Sequence, residues 1–358
     1  MNALFRSFAI AILLILFSPS PAKACTTFVL RNNDGTIVFG RNFDFPAGLG
    51  HVHINKRNLQ KTSFISPPEK PMTWVSKYGS ITFNQNGKEL PYGGMNEAGL
   101  VIEQMWHQEA KYPEMDERYG LTELQWIQYQ LDNSATVEDV INTDKHLRIS
   151  ATSVATLHFL VSDTSGNVAV IEYINGKMHV HSGKELPYTV LANCTYDVSL
   201  DYKKHKEAGS EIAFAGWTEN SSGRFTTAAV MTEEFAVKEA EPVSYAFEIL
   251  DKVSQGPATQ WSIIYDLAER RIHYKTHKNP EIRTLNFHDF DYDCESEMIF
   301  IDIDQKANQP GDFKPYSHEA NFNIINNICN SVEFLNQMPM EYRKAAAAYP
   351  ENIHCITQ

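Results

Sequence analysis

The feature that most constrains this chain is the junction between residues 24 and 25. Arg6 precedes an unbroken apolar run, Ala9–Phe17 (AIAILLILF), and Ala22-Lys23-Ala24 places small residues where a secretion leader is cut. The run is too short to cross a bilayer, and no later stretch is uninterrupted and apolar for the roughly 18 residues a span requires. Residues 1–24 therefore read as a removable signal peptide, and the mature protein as exported, periplasmic or extracellular, without a membrane span. Cutting after Ala24 makes Cys25 the first residue. A thiol at the chain start carries its own general base, the free α-amine, whose ordinary pKa is about 7.7 to 8.0. In the uncut precursor that nitrogen is a non-basic amide, so cleavage would activate as well as export. Cys25 also opens the first predicted strand, Cys25–Arg31, so the fold has to begin at the reactive residue itself.

A second predicted strand, Thr36–Asn42, follows Asn32-Asn33-Asp34-Gly35, a strong hairpin signal. A tight Asp34-Gly35 turn would set Cys25 opposite Asp44, and a four-residue loop would set it opposite Asn42. Either register brings Cys25 beside Arg41 and Asp44. Further strands are expected at residues 80–83, 100–105, 155–162, 167–173, 177–181, 188–192, 260–267, 271–276 and 282–287. Helices are expected at 121–131, at 136–147 behind a capping-box spacing of Thr136 and Asp139, and near 225–235 and 244–253. Antiparallel strands alternating with helix pairs argue for layered sheets covered by helices. No internal repeat or low-complexity linker divides the chain. Residues 25–290 read as one domain and 291–358 as a tail packing on it, with a mostly helical stretch at 321–348.

Charge narrows the partners. Acidic residues outnumber basic ones 44 to 31, a formal charge of −13, which argues against a sequence-independent grip on nucleic acid phosphates.

The string Cys25-Thr26-Thr27 followed by Phe39-Gly40-Arg41-Asn42-Phe43-Asp44 resembles the choloylglycine hydrolase family, N-terminal-nucleophile amidases that include conjugated bile acid hydrolases and penicillin V acylases. Met95-Asn96-Glu97-Ala98-Gly99-Leu100, the run from Leu157-His158-Phe159 to Val190-Leu191-Ala192-Asn193, Ser221-Ser222-Gly223-Arg224-Phe225 and Trp261–Asp266 are similar to family segments in the same order. The resemblance implies an α+β fold, a four-layer αββα sandwich with two antiparallel sheets, and hydrolysis of a linear amide C–N bond without a cofactor. It implies Cys25 as nucleophile with its amine as base, Arg41 and Asp44 around them, Asn193 lining an oxyanion hole, and Arg224 completing the polar network. Trp106 falls where many family members carry Asn or Tyr, so its indole is read, with Phe43 and Phe45, as shaping an acyl pocket. The loop after Asn193 is one residue shorter than the family's usual one.

Other motifs point to weaker chemistry. His51-x-His53 and His179-x-His181 each put two imidazoles on one strand face and can seed a metal site, but nothing fixes a third ligand. Setting Cys25 aside leaves Cys194, Cys294, Cys329 and Cys355, of which Cys329 and Cys355 lie together in the tail and can pair. The leading expectation is a secreted cysteine amidase acting on a small N-acyl amide, with self-association into a homo-oligomer left open. The competing expectation is a binding protein of the same fold without turnover, lipid-anchored through Cys25 or soluble. Lys23 beside the cut, and the lack of a leucine three residues before Cys25, fit a lipid anchor poorly.

Overall fold

The computed structural model describes residues 25–32, 35–210, 213–235 and 240–356. The leader expected at 1–24 and the Asn33-Asp34 part of the hairpin turn lie outside them. Two antiparallel sheets face each other. One has six strands in the order Val190–Leu191, Thr26–Arg31, Ile37–Asp44, Thr259–Asp266, Arg271–Thr276, Arg283–Asn286. The other has nine, in the order Lys177–Ser182, Val168–Ile174, Leu157–Ser162, Val101–Trp106, Pro91–Asn96, Ser80–Asn84, His51–Asn55, Ile299–Asp302, Lys314–Pro315.

Helix α1 (Glu123–Asn133) packs on the nine-stranded sheet, and α2 (Val137–Asn142) follows it. Helices α4 (Gly216–Phe235) and α5 (Pro242–Lys252) cover the six-stranded sheet, with α3 (Tyr196–Glu207) against α4. This is the expected four-layer αββα sandwich. A strand covered on both faces has no solvent side, and all eight residues of Ile37–Asp44 are accordingly buried. Among the described residues no helix is long and apolar enough to cross a membrane.

Most predicted elements form, with shifted ends. The capping box at Thr136 and Asp139 is present, but α2 ends at Asn142 because Leu147–Ile149 leaves to pair in parallel with Tyr119–Leu121. The strands His51–Asn55 and Pro91–Asn96 and the helix α3 were not expected from pattern. The polar face of α3 gives a weak periodic signal, and its start depends on Thr195 Oγ1 accepting the Val198 N–H.

Neither expected hairpin register occurs. Thr26 pairs with Asn42 and Arg31 with Ile37, so five residues connect the strands. Asn32 Oδ1 accepts the Thr36 N–H at 2.9 Å, the Asn32 N–H donates to the Thr36 carbonyl at 3.3 Å, and Gly35 sits at a φ of +90°, so Asn32 closes the loop just past the last strand pair. The register continues to Cys25 opposite Phe43. A one-residue slip exchanges faces along a strand. Cys25, Thr27, Arg41 and Phe43 therefore share the face between the sheets, while Thr26, Asn42 and Asp44 point the other way, toward α4 and α5.

Candidate active site

Cys25 immediately precedes the strand Thr26–Arg31 and is 4% exposed, with its Sγ 3.9 Å from the Asp44 carbonyl oxygen. Burial pushes the thiol above its usual range; the cationic Arg41 and Arg224 oppose that shift, and the Asp44 carboxylate adds to it. A thiol in this setting stays protonated at neutral pH until a base takes its proton.

Arg41 and Asp44 are not an ion pair; each has its own partner. Arg41 Nη1 lies 2.6 Å from Glu103 Oε2 across the gap between the sheets, both side chains fully buried, and Nη2 donates to the Gln104 carbonyl at 3.1 Å. Tyr265 Oη donates to the other oxygen of Glu103. Burial raises the Glu103 carboxyl to about 7 despite Arg41 and Tyr265. Glu103 fits because Gly93 faces it: a Cβ there would come within 2.1 Å of its Oε2. Asp44 accepts a 2.5 Å hydrogen bond from Thr259 Oγ1, while its Oδ2 is buried without a hydrogen-bond partner. Burial raises Asp44 to about 6, against Arg224, Thr259 and Arg41.

Arg224 reaches from α4 into the start of the chain. Its Nη1 donates to the Cys25 carbonyl at 2.5 Å and to Thr26 Oγ1, and its Nη2 donates to Asn193 Oδ1 at 3.0 Å. The Asn193 side-chain amide donates to the Trp106 carbonyl at 2.8 Å, and Ser221 Oγ accepts the backbone N–H groups of both Asn193 and Cys194 at 2.9 Å. Behind them His158 Nε2 donates to the Ala192 carbonyl at 2.7 Å and its Nδ1 faces Glu172 at 3.1 Å, which anchors the residue before Asn193. All five expected polar residues thus meet around one point.

A cavity of about 200 Å³ opens at Cys25. Phe43, Phe45 and Trp106 line it, as expected from sequence. Phe43 stacks on Phe45 at 5.2 Å between centroids, and Arg41 lies 4.9 Å over the Phe43 ring. Most of its lining side chains are apolar or aromatic, with Asp44, Asn86, Gln104 and Glu123 among the polar exceptions, so the space favours a largely apolar group.

Several contributors were not foreseen. Glu103 has one available signal, a lone carboxylate inside the apolar strand Val101–Trp106. Ser221 and Tyr265 stand inside family-like strings, but what each does, like the part played by Thr259, depends on a partner distant in the chain. The tail, expected only to pack on the domain, also supplies part of the cavity wall. Its cysteine pairing also differs: Cys355 bonds Cys294, while Cys329 is buried and free. The reason is geometric, because Cys329 points from its helix toward the cavity and Cys355 lies in a short strand against Leu59 and Gln60. Of the histidine pairs, His51 and His53 are buried against Phe300. His181 contacts Glu172 at 3.4 Å, whereas His179 is exposed. His107, His158 and Glu172 bring three donor atoms within 4.8 Å of one another, although neither sequence motif contains them.

Residues 25–300 match the model of the linear amide C–N hydrolases, choloylglycine hydrolase family. The chain belongs to that family. It is 27% identical over 294 residues to a penicillin V acylase from Pectobacterium atrosepticum, covering 76% of this chain and 73% of that one. Its fold is similar to that of a penicillin V acylase from Agrobacterium tumefaciens, with a TM-score of 0.69, 25% identity, and coverage of 82% and 98% of the two chains. A mutant conjugated bile acid hydrolase from Clostridium perfringens shares the fold at a TM-score of 0.62 and 18% identity, covering 82% of this chain and 96% of that one. As a choloylglycine hydrolase family member the protein is a hydrolase of linear amide C–N bonds.

Proposed function

We propose that the protein is an exported amidase whose nucleophile is Cys25 at a chain start created by leader removal, and that it acts on small N-acyl amides of the penicillin V, conjugated bile acid or N-acyl homoserine lactone type. The observation that carries the reading is the convergence of Arg41, Asp44, Asn193 and Arg224 on a buried Cys25 at the mouth of an apolar cavity. The relative's activity on penicillin V and the disulfide between Cys294 and Cys355, a bond of oxidising compartments, support it.

Leader removal converts the Cys25 amide nitrogen into an amine, and the unpartnered Asp44 Oδ2 suits it as an acceptor. The amine takes the thiol proton as sulfur attacks the substrate carbonyl carbon. Asn193 Nδ2 has two hydrogens, of which Trp106 O takes one, so the other can meet the developing oxyanion. Collapse breaks the C–N bond, the Cys25 ammonium protonates the leaving amine, and a thioester remains. Water, deprotonated by the same amine, then releases the acid and regenerates the thiol. Arg224 holds both the Cys25 carbonyl and Asn193, tying nucleophile to oxyanion donor.

Intact mass of the secreted protein tests processing: a free amino-terminal Cys25 is expected, and a diacylglyceryl adduct sinks the reading. Activity is tested by comparing wild type, Cys25→Ala and Cys25→Ser on penicillin V, glycine- and taurine-conjugated bile acids and N-acyl homoserine lactones. Equal hydrolysis by wild type and Cys25→Ala rules the mechanism out.

A further inference from the structure

Part of the wall of the cavity that holds Cys25 comes from beyond residue 300, where the family match ends. Helix α6 (His318–Ser331) contributes Ile325 and Cys329, α7 (Glu333–Asn336) contributes Phe334 and Leu335, and Met338 follows in the turn. Helix α8 (Met340–Ala348) adds Tyr342 and Ala346. Phe334 is the closing piece, its ring edge-on to Trp106 at 5.6 Å and to Phe45 at 6.5 Å. The tail thereby touches two of the rings that the family-matched region presents to the substrate.

This wall is braced. Arg343, 4% exposed, donates to Asn326 and Asn330 of α6 at 3.0 and 2.8 Å, and to the Asn336 and Met338 carbonyls, both at 3.0 Å. Asn321 accepts the Lys88 N–H at 2.8 Å and donates to the Ala347 carbonyl at 2.9 Å. The bond from Cys355 to Cys294 ties the far end to the body. One buried guanidinium and one buried amide thus hold three helices in a single arrangement over the cavity.

Volume then decides what enters. A cavity of about 150 Å³ takes one benzene ring, and sites for drug-sized ligands run from about 300 Å³ upward. At about 200 Å³ the space matches one aromatic ring on a short tether or a short linear acyl chain more closely than a four-ring steroid. We infer that α6–α8 set the upper limit on the acyl group, with Phe334 and Met338 as the specificity-determining residues. The substrate class is then amides of single-ring arylacetic or short-chain acids. This inference rests on the amidase reading and narrows it.

The test uses the processed full chain and a series of N-acyl p-nitroanilides from acetyl to dodecanoyl, with phenylacetyl. Wild type is expected to favour phenylacetyl and short chains. Each methylene newly accommodated is worth about four-fold in kcat/KM. Phe334→Ala with Met338→Ala should therefore raise the decanoyl-to-phenylacetyl ratio of kcat/KM by at least about ten-fold, and Phe334→Leu should fall between. Thermal melting confirms that the variants are folded. Wild-type hydrolysis with an unchanged ratio in folded variants overturns the inference and leaves the amidase reading standing. The second arm titrates the free acids into Cys25→Ala, with and without the two wall substitutions. If nothing is hydrolysed but the wall substitutions extend binding to longer acids, the wall stands and the amidase reading falls. No binding of any acid by either background, together with no hydrolysis, overturns both.

Discussion

The two sides of the cavity are built on opposite principles. On the Cys25 side, buried polar groups are held by directed bonds: Arg41 to Glu103, Asp44 to Thr259, and Arg224 to Cys25, Thr26 and Asn193. A buried polar group left unpaired is costly, so each such residue demands a particular partner at a particular place. On the tail side, Ile325, Phe334, Leu335 and Met338 meet the cavity through shape alone. Apolar surfaces accept many side chains of similar volume. Chemistry is therefore written in residue identity, and substrate size in packing.

Substitutions can break that contrast in order of expected effect. Removing the proposed nucleophile, Cys25→Ala, should cost at least about 10⁴-fold in kcat with the fold intact, measured by steady-state hydrolysis and melting. Activity within ten-fold of wild type would move the chemistry elsewhere. Asn193→Ala should lower kcat by about 10²- to 10³-fold with a much smaller change in KM, the sign of an interaction made in the transition state. An effect confined to KM would make Asn193 a binding residue.

On the tail side the largest lever is covalent. Cys294 and Cys355 are 61 residues apart, and opening a loop of that size by Cys294→Ser with Cys355→Ser should cost about 2 to 4 kcal/mol, read from urea unfolding. The same substitutions should loosen acyl selectivity more than they lower turnover of the preferred substrate. A selective loss of turnover would join the two sides of the cavity into one catalytic unit.

The smallest effect tests the polar side through pH. Burial raises Glu103 from 4.5 to about 7, so the native state holds its proton more tightly than the unfolded chain does. That contribution to stability is complete below pH 4.5 and is lost as pH rises to about 7. Glu103→Gln removes this dependence. Between the two pH values wild type should lose up to about 3 kcal/mol relative to the variant, measured from urea midpoints. The opposite slope would show that the contact with Arg41 outweighs the cost of burying the carboxylate.

The polar side was largely legible. Cys25, Arg41, Asp44, Asn193 and Arg224 stand in recognisable strings, and the strands that carry them follow apolar runs bounded by turn residues. What escaped was pairing, across one short loop and over long separations alike. The hairpin register depended on Asn32 closing a five-residue loop, and that one-residue difference placed Arg41 rather than Asp44 on the face of Cys25. Glu103 was visible only as an oddity in an apolar strand, because its meaning requires Arg41 and Tyr265 from the other sheet. The tail escaped more completely: Cys329 and Cys355 are near in sequence, yet the fold sends one to the cavity and the other to Cys294.

The sequence by itself determined the class of fold and the family, and its resemblance to that family pointed to Cys25, Arg41, Asp44, Asn193 and Arg224, because short strings of fixed side-chain chemistry stay recognisable wherever the chain places them. Only the tertiary structure decided which face each residue occupies, which carboxylate answers Arg41, and how much room the acyl group has. Those depend on where two sheets and three distant helices come to rest against one another, and that is a property of the whole packed volume rather than of any segment within it.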